Sequence, residues 1–136
     1  MRAALIAIAL LLAACGEPQP PLVASDVHIT RPLPGRHVSA GYLVLSNTTS
    51  EDIRITRITS LEFGNVQIHE TKIEDGIARM HTLEELIVPA HGSVKLESGG
   101  KHLMLMRPGE IEDSVSLQLY SGDAPVLTIH FDFGGN

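Results

Sequence analysis

The segment 99–110, GGKHLMLMRPGE, places side chains with metal-binding chemistry at alternate positions. If it forms a β-strand, successive side chains point to opposite faces, so that His102, Met104 and Met106 share one face and Leu103 and Leu105 the other. Imidazole nitrogen and thioether sulfur are both metal donors, and thioethers favour soft ions such as Cu(I). A structural interpretation competes with this one, because methionine also fills cores and a histidine can simply be a hydrogen-bonded neighbour.

A second histidine and methionine pair lies upstream, on the two sides of a turn signal. His69 and Met80 flank Asp75 and Gly76, a dipeptide typical of two-residue β-hairpin turns. Such a turn puts His69 and Met80 on one face as diagonal neighbours, within reach of long side chains. The register that it predicts pairs Glu74 with Ile77, Thr71 with Met80, and His69 with Thr82.

Two imidazoles and two thioethers, from His69, Met80, His102 and Met104, are therefore candidate ligands of one soft ion. Outside the cytosol a thiolate pair is at risk of forming a disulfide, whereas thioethers hold copper without that loss. Neutral sulfur donors also let the ion leave, which a carrier requires. Met106 lies one strand step farther along, and packing or partner contact is the expected role of its side chain.

The elements that would position these residues are strands. Eight segments show alternation or β-branched runs, and turn signals separate them. At this density the fold class is all-β, a Greek-key β-sandwich or barrel of about eight strands. The predicted segments are 37–47, 52–61, 65–73, 77–86, 93–98, 101–107, 114–121 and 125–133.

The first 25 residues are expected to lie outside this fold. Arg2 and the apolar run 3–12 are typical of a signal peptide, and Leu-Ala-Ala-Cys at 12–15 resembles a bacterial lipobox. The predicted organisation is a signal peptide at 1–14, a Pro-rich tether at 15–25 that begins with lipidated Cys15, and a copper-binding domain at 26–136. An ordinary signal peptide with an unmodified Cys15 is the alternative, and both interpretations export the protein.

Composition excludes several classes of function. Cys15 is the only cysteine, so the domain has no disulfide, cysteine nucleophile or thiolate zinc site, and it lacks the thiolate of a blue-copper centre. The formal net charge of −6 argues against nucleic-acid binding. The segment HETKI begins like a zinc-protease motif but has no second histidine. A copper carrier, a copper redox protein and a metal-free adhesion or assembly module remain, and an enzyme is not expected.

The spacing H-x10-M-x21-H-x-M resembles that of PCuAC, a family of periplasmic copper chaperones. Further similar segments cover nearly the whole mature domain: RPLPG, AGYLVLSN, VQIHETKIEDGIARM, IVPAHGSVKLESGGKHLMLM and LTIHFDF. The resemblance implies a cupredoxin-like β-barrel that binds one Cu(I) through His69, Met80, His102 and Met104. It also implies delivery to the CuA centre of cytochrome c oxidase, often alongside a thioredoxin-like copper chaperone.

Some features depart from the family pattern. Tryptophan, frequent shortly before the RP segment, is absent, and Glu70 and Thr71 follow His69 where many members have a methionine. The chain ends in FDFGGN without a tail rich in histidine and methionine, so one copper and no second store are expected. The implied location is periplasmic and membrane-anchored. Gly16 after Cys15 favours the outer membrane, because inner-membrane lipoproteins commonly have aspartate there.

Overall fold

A computed structural model describes residues 19–134, which form eleven β-strands and no helix. The all-β prediction is confirmed, with more strands than the eight expected. Within this described range there is no helix of the length and apolarity needed to cross a bilayer. The strands are β1 (Leu22–Ile29), β2 (Val38–Asn47), β3 (Ile53–Ile55), β4 (Arg57–Ser60), β5 (Phe63–Glu74), β6 (Ile77–Leu83), β7 (Leu86–Val88), β8 (Ser93–Leu96), β9 (Lys101–Pro108), β10 (Ser114–Ser121) and β11 (Ala124–Asp132).

Nine strands form one curved sheet. Seven of them follow the order β1-β2-β9-β5-β4-β10-β11, while β6 pairs with β5 and β8 with β2 off this path. Strand β11 returns to contact β1, so that the sheet nearly closes into a barrel. Strand β2 pairs with β1 along one edge, and along the other with β9 through its first half and β8 through its second. Strand β5 likewise has β9 on one edge and β4 followed by β6 on the other. Strands β3 and β7 form a separate antiparallel pair.

Three elements differ from the sequence prediction. The predicted strand 77–86 ends as β6 at Leu83, and β7 follows as a separate strand, Leu86–Val88. Strand β1 begins at Leu22, inside the predicted tether, because Leu22 is only 1 % exposed and pairs with Asn47 of β2. The prolines just before Leu22 are typical of a linker, and the strand that follows them was therefore not predicted. The predicted strand 52–61 is divided at Thr56, whose backbone N–H donates to the Tyr120 carbonyl at 2.9 Å. The predicted signal peptide and Cys15 lie outside the described residues.

The alternation predicted for β9 is confirmed. Leu103 and Leu105 point into an aliphatic core and are 1 % and 0 % exposed, whereas Met104 and Met106 lie partly exposed on the outer face of the sheet. Burial of two leucine side chains contributes several kcal/mol, about 1.5–3 kcal/mol each. The leucines therefore decide which face of β9 is turned outward, and with it where the histidine and methionines lie.

Strand β2 approaches β9 closely at Gly41. A Cβ at this position would lie 3.1 Å from the Leu103 Cβ and 3.2 Å from the Leu105 Cδ1, closer than ordinary van der Waals contact. Because glycine has no side chain, both leucines of β9 can pack inward against the backbone of β2.

Gly41→Ala is expected to lower the free energy of unfolding by about 1–3 kcal/mol, since the added methyl overpacks the core against β9. Gly109→Ala is the matched control, because the nearest heavy atom to its Cβ would be the Glu62 carbonyl oxygen at 3.7 Å. Urea unfolding followed by circular dichroism measures both. Equal stability of the two variants would show that β2 and β9 do not pack as described.

Candidate metal site

Strand β5 brings the two halves of the predicted ligand set together. The pairing of β5 with β9 places His69 directly opposite His102 and Gln67 opposite Met104. On the other edge of β5, Met80 lies diagonally across from His69. Residues paired across antiparallel strands share a face, so all four predicted ligands lie on the outer face of β6, β5 and β9.

The hairpin that connects β5 to β6 has the predicted geometry. Asp75 and Gly76 both have positive φ, 53° and 78°, as a type I′ turn requires. The predicted register is confirmed at all three pairs: Glu74 with Ile77, Thr71 with Met80, and His69 with Thr82.

The two imidazoles are close enough to bind one ion. Their ring centroids lie 6.0 Å apart, with an angle of 55° between the ring planes. A metal–nitrogen bond of about 2 Å, plus about 1 Å from nitrogen to centroid, gives centroids about 5–6 Å apart for two rings on one ion. His102 is 7 % exposed, and its Nδ1 donates to the Gly100 carbonyl oxygen at 3.1 Å, which leaves Nε2 available.

His69 is partly buried and has one ring nitrogen without a partner. Its Nε2 lies 3.0 Å from the Gln67 Oε1 and 3.3 Å from the Thr82 Oγ1, whereas its Nδ1 is buried and makes no hydrogen bond. A buried polar atom without a partner costs about 1–3 kcal/mol. In residues 19–134, Ser39 Oγ is the other buried side-chain atom in this condition. A metal ion would satisfy the free nitrogen of His69, so the donor set fits such an ion.

The thioethers meet His102 at a cavity of about 380 Å³. Met80, His102 and Met104 line it together, while His69 lies outside its wall on β5. Met80 is 51 % exposed, so one candidate ligand is open to solvent. The other lining residues are small or uncharged: Thr30, Val38, Ser39, Ala40, Tyr42, Thr71, Ser98, Gly99 and Leu103.

Charge is confined to the opposite face of the hairpin. The side chains on the outer face are all uncharged when histidine is neutral. They are Asn65, Gln67, His69 and Thr71 of β5, Ala78, Met80 and Thr82 of β6, and His102, Met104 and Met106 of β9. The charged side chains instead pair with one another behind the site. These pairs are Glu70 with Lys72 (3.0 Å) and Lys101 (2.9 Å), and Glu74 with Arg79 (3.3 Å). The His81 Nε2 also lies 3.0 Å from the Glu74 Oε1.

The environment keeps His69 in the state that binds metal. Burial lowers the pKa of the His69 imidazole, and the neighbouring His102 lowers it further because two positive rings would repel. A neutral imidazole retains its lone pair, which a metal ligand needs.

Gln67 is a further residue of the candidate site, and the sequence pattern did not single it out. Gln67 contacts His69 from the same face of β5, two positions earlier, and no role was assigned to it. The available signal was the strand period itself, which places residue 67 beside residue 69 once the strand is recognised.

A family model described as "Putative lipoprotein LpqE-like" matches residues 22–135. The chain belongs to this LpqE-like family. It is 30 % identical over 108 residues to "Putative lipoprotein Lxx21020" of Leifsonia xyli subsp. xyli, covering 74 % of this chain and 65 % of the relative. It is 27 % identical over 95 residues to "Uncharacterized protein RP573" of Rickettsia prowazekii (strain Madrid E), covering 69 % and 49 %. The chain therefore spans between about half and two thirds of the length of these curated relatives.

Solved structures share the fold. The copper-bound PCuAC domain from PmoF2 is similar with a TM-score of 0.66 at 18 % identity, covering 81 % of this chain and 89 % of that one. The solution structure of CuI-DR1885 from Deinococcus radiodurans is similar with a TM-score of 0.59 at 24 % identity, covering 88 % and 80 %. The LpqE-like chain thus has the fold of PCuAC domains, which confirms the predicted cupredoxin-like architecture.

The depressed pKa of His69 makes the copper-free protein less stable in acid. A group whose pKa is lowered by folding binds more protons in the unfolded state than in the folded state. Its contribution to the free energy of unfolding is therefore present above the unfolded pKa of about 6.5 and is lost as pH falls. We expect the free energy of unfolding to fall less steeply between about pH 7.5 and about pH 5 in His69→Gln than in wild type. Urea unfolding across this range measures the slope.

A proton NMR titration of the imidazole resonances provides the independent check. The His69 ring should titrate below the ordinary histidine value, and His102→Gln should restore only part of the difference, because burial is the larger cause. A His69 pKa at or above the ordinary value would contradict the burial described for the ring.

Proposed function

We propose that this protein is an extracytoplasmic copper chaperone that binds one Cu(I) through His69, Met80, His102 and Met104 and passes it to a partner. The observation that carries the proposal is the strand register, with His69 opposite His102 and a methionine adjacent to each histidine on the same uncharged face. Residues far apart in the chain thereby supply two imidazoles and two thioethers to one small region.

The donor chemistry supports a soft monovalent ion. Thioether sulfur is neutral and polarizable, and imidazole accepts copper in either oxidation state. Hard divalent ions prefer carboxylate oxygens, and the carboxylates of β5, Glu70 and Glu74, are turned to the other face and paired there. Within residues 19–134, no group of three or more histidine, cysteine, aspartate or glutamate side chains is placed to hold a metal. The proposed site therefore depends on its thioethers.

Exposure of the ligands supports a carrier that releases its ion. His102 is buried at 7 % exposure, while Met80 is 51 % exposed beside a cavity of about 380 Å³, much larger than a metal ion. A donor atom from an acceptor can enter there and bind copper as the bond to the Met80 sulfur breaks. The ion stays Cu(I) throughout, so no oxidant or reductant is needed.

The comparisons support both the cargo and the location. The names of two similar structures state that copper is bound, and the family and one relative are described as lipoproteins. We infer that Cys15 carries the lipid and holds the domain at an extracytoplasmic membrane surface, with the outer membrane favoured by Gly16. By resemblance to PCuAC, the acceptors are the CuA subunit of cytochrome c oxidase and a thioredoxin-like copper chaperone.

Anaerobic titration with Cu(I), in competition with a chromogenic chelator, tests the ligand set. We expect one ion per protein in wild type and an affinity lower by roughly a hundredfold or more in His102→Ala/Met104→Ala, because loss of an outer-shell partner alone costs 10–100-fold. Met106→Ala is the matched control, since Met106 is a third thioether on the same face of β9.

The outcomes separate the three classes of function. If Met106→Ala and His102→Ala/Met104→Ala lose Cu(I) affinity equally, copper does not bind through the proposed ligands. Multi-turnover oxidation of a reductant by the copper-loaded protein would favour a redox protein, and no binding at all would favour a metal-free assembly module. Tight binding that only the double variant loses supports the carrier.

Copper affinity should decrease in acid, because a protonated imidazole cannot ligate. The lowered pKa of His69 means that protons compete at this ring only at lower pH than at an ordinary imidazole. Competition titrations between about pH 7.5 and about pH 4.5 measure the slope. The residual affinity of His69→Ala/His102→Ala, which rests on thioethers, should not change over this range. A wild-type affinity that stays constant into strong acid would contradict the assignment of two histidine ligands.

A further inference from the structure

We propose that Gln67 is a positioning residue that holds His69 in the tautomer with hydrogen on Nε2, so that His69 binds copper through Nδ1. The part of this inference that concerns copper binding through Nδ1 rests on the proposed function. The part that concerns the tautomer of His69 applies to the copper-free protein alone. The amino-acid sequence alone does not distinguish the two ring nitrogens of either histidine.

The tautomer follows from the partners of the ring. The Gln67 amide is oriented with its oxygen 3.0 Å from the His69 Nε2, and because an amide oxygen only accepts, this orientation assigns the hydrogen to Nε2. The Thr82 hydroxyl, 3.3 Å away, can donate or accept and therefore imposes no choice. In a neutral ring the lone pair is then on Nδ1, which is the buried nitrogen without any hydrogen-bond partner.

His102 has the opposite arrangement. Its Nδ1 lies 3.1 Å from the carbonyl oxygen of Gly100, which also accepts only, so the hydrogen is on Nδ1 and the lone pair on Nε2. The Thr71 backbone N–H donates to the same carbonyl at 3.1 Å and fixes its position against β5. Each histidine is thus held by one acceptor at the nitrogen that does not bind metal, which is how outer partners orient ligating histidines.

The position of Gln67 suits this role. It is partly buried, its backbone is opposite that of Met104 in the β5–β9 register, and its amide contacts His69. The amide is neutral, and it can therefore orient the imidazole without adding a negative charge to the uncharged face. A carboxylate at this position would make a stronger hydrogen bond but would also raise the pKa of His69.

Long-range ¹H–¹⁵N NMR of the copper-free protein, at a pH where histidine is neutral, reports the hydrogen on each nitrogen. We expect His69 to be protonated on Nε2 and His102 on Nδ1. Gln67→Leu should give a mixture of His69 tautomers, whereas Gln67→Glu, which retains an acceptor oxygen, should keep the wild-type tautomer. Thr82→Val is the control on the other side of the ring and should also keep it. A His69 ring protonated on Nδ1 in wild type would overturn the proposal.

Adding Cu(I), which is diamagnetic, to the same samples tests whether His69 binds copper through Nδ1. The Nδ1 resonance of His69 and the Nε2 resonance of His102 should shift most. Gln67→Leu should bind Cu(I) about tenfold more weakly than wild type, as expected when a ligand loses its outer hydrogen bond. Gln67→Glu should restore the affinity to within a fewfold.

The failures are distinguishable. If Cu(I) shifts the Nε2 resonance of His69, binding through Nδ1 is overturned while the proposed function stands. If Cu(I) shifts no imidazole resonance, the proposed function and binding through Nδ1 are both overturned. The tautomers measured without copper then still decide the role of Gln67. Wild-type tautomer in Gln67→Leu would overturn that role.

Discussion

The antiparallel pairing of β5 with β9 is the constraint on which the site depends. It places His69 opposite His102, and a shift of one residue would turn one of the two imidazoles toward the core. The shift is prevented by packing rather than by the site itself. Leu103 and Leu105 are almost completely buried, and the missing side chain of Gly41 leaves them room. The apolar residues of β9 therefore fix the geometry of the polar ones.

The β5–β6 hairpin places its charged side chains and the proposed metal ligands on opposite faces of a two-stranded ribbon. Hydrogen bonds from Lys101 and then Lys72 lower the pKa of Glu70, so this carboxylate stays ionised, but it does so on the face away from the imidazoles. Alternation alone produces this division, since residues 69 and 70 point in opposite directions. For the proposed ligands, a neutral donor set in neutral surroundings would favour a soft monovalent ion over hard divalent ions without any specific contact that repels the latter.

What the sequence could predict was the local part of this arrangement. The Asp75–Gly76 turn and the strand period gave the hairpin register, and the leucines gave the outward face of β9. The β5–β9 pairing joins segments distant in the chain, and neither turn chemistry nor alternation specifies such a partner. Strand β1 was missed because its neighbouring prolines resemble a linker. The role of Gln67 became visible only when atoms could be assigned as donors and acceptors.

Capture and release of an ion place opposite demands on a site, and the fold supports the proposed ligands in different ways. His102 is buried in a strand that pairs on both edges, and its ring is held by a backbone carbonyl. Met80 is half exposed on β6, which pairs with β5 alone in the described sheet. A ligand on such an edge strand can move without disturbing the core, because few buried contacts hold it in place. In the proposed carrier, the ion would therefore be held from the β9 side and exchanged from the β6 side.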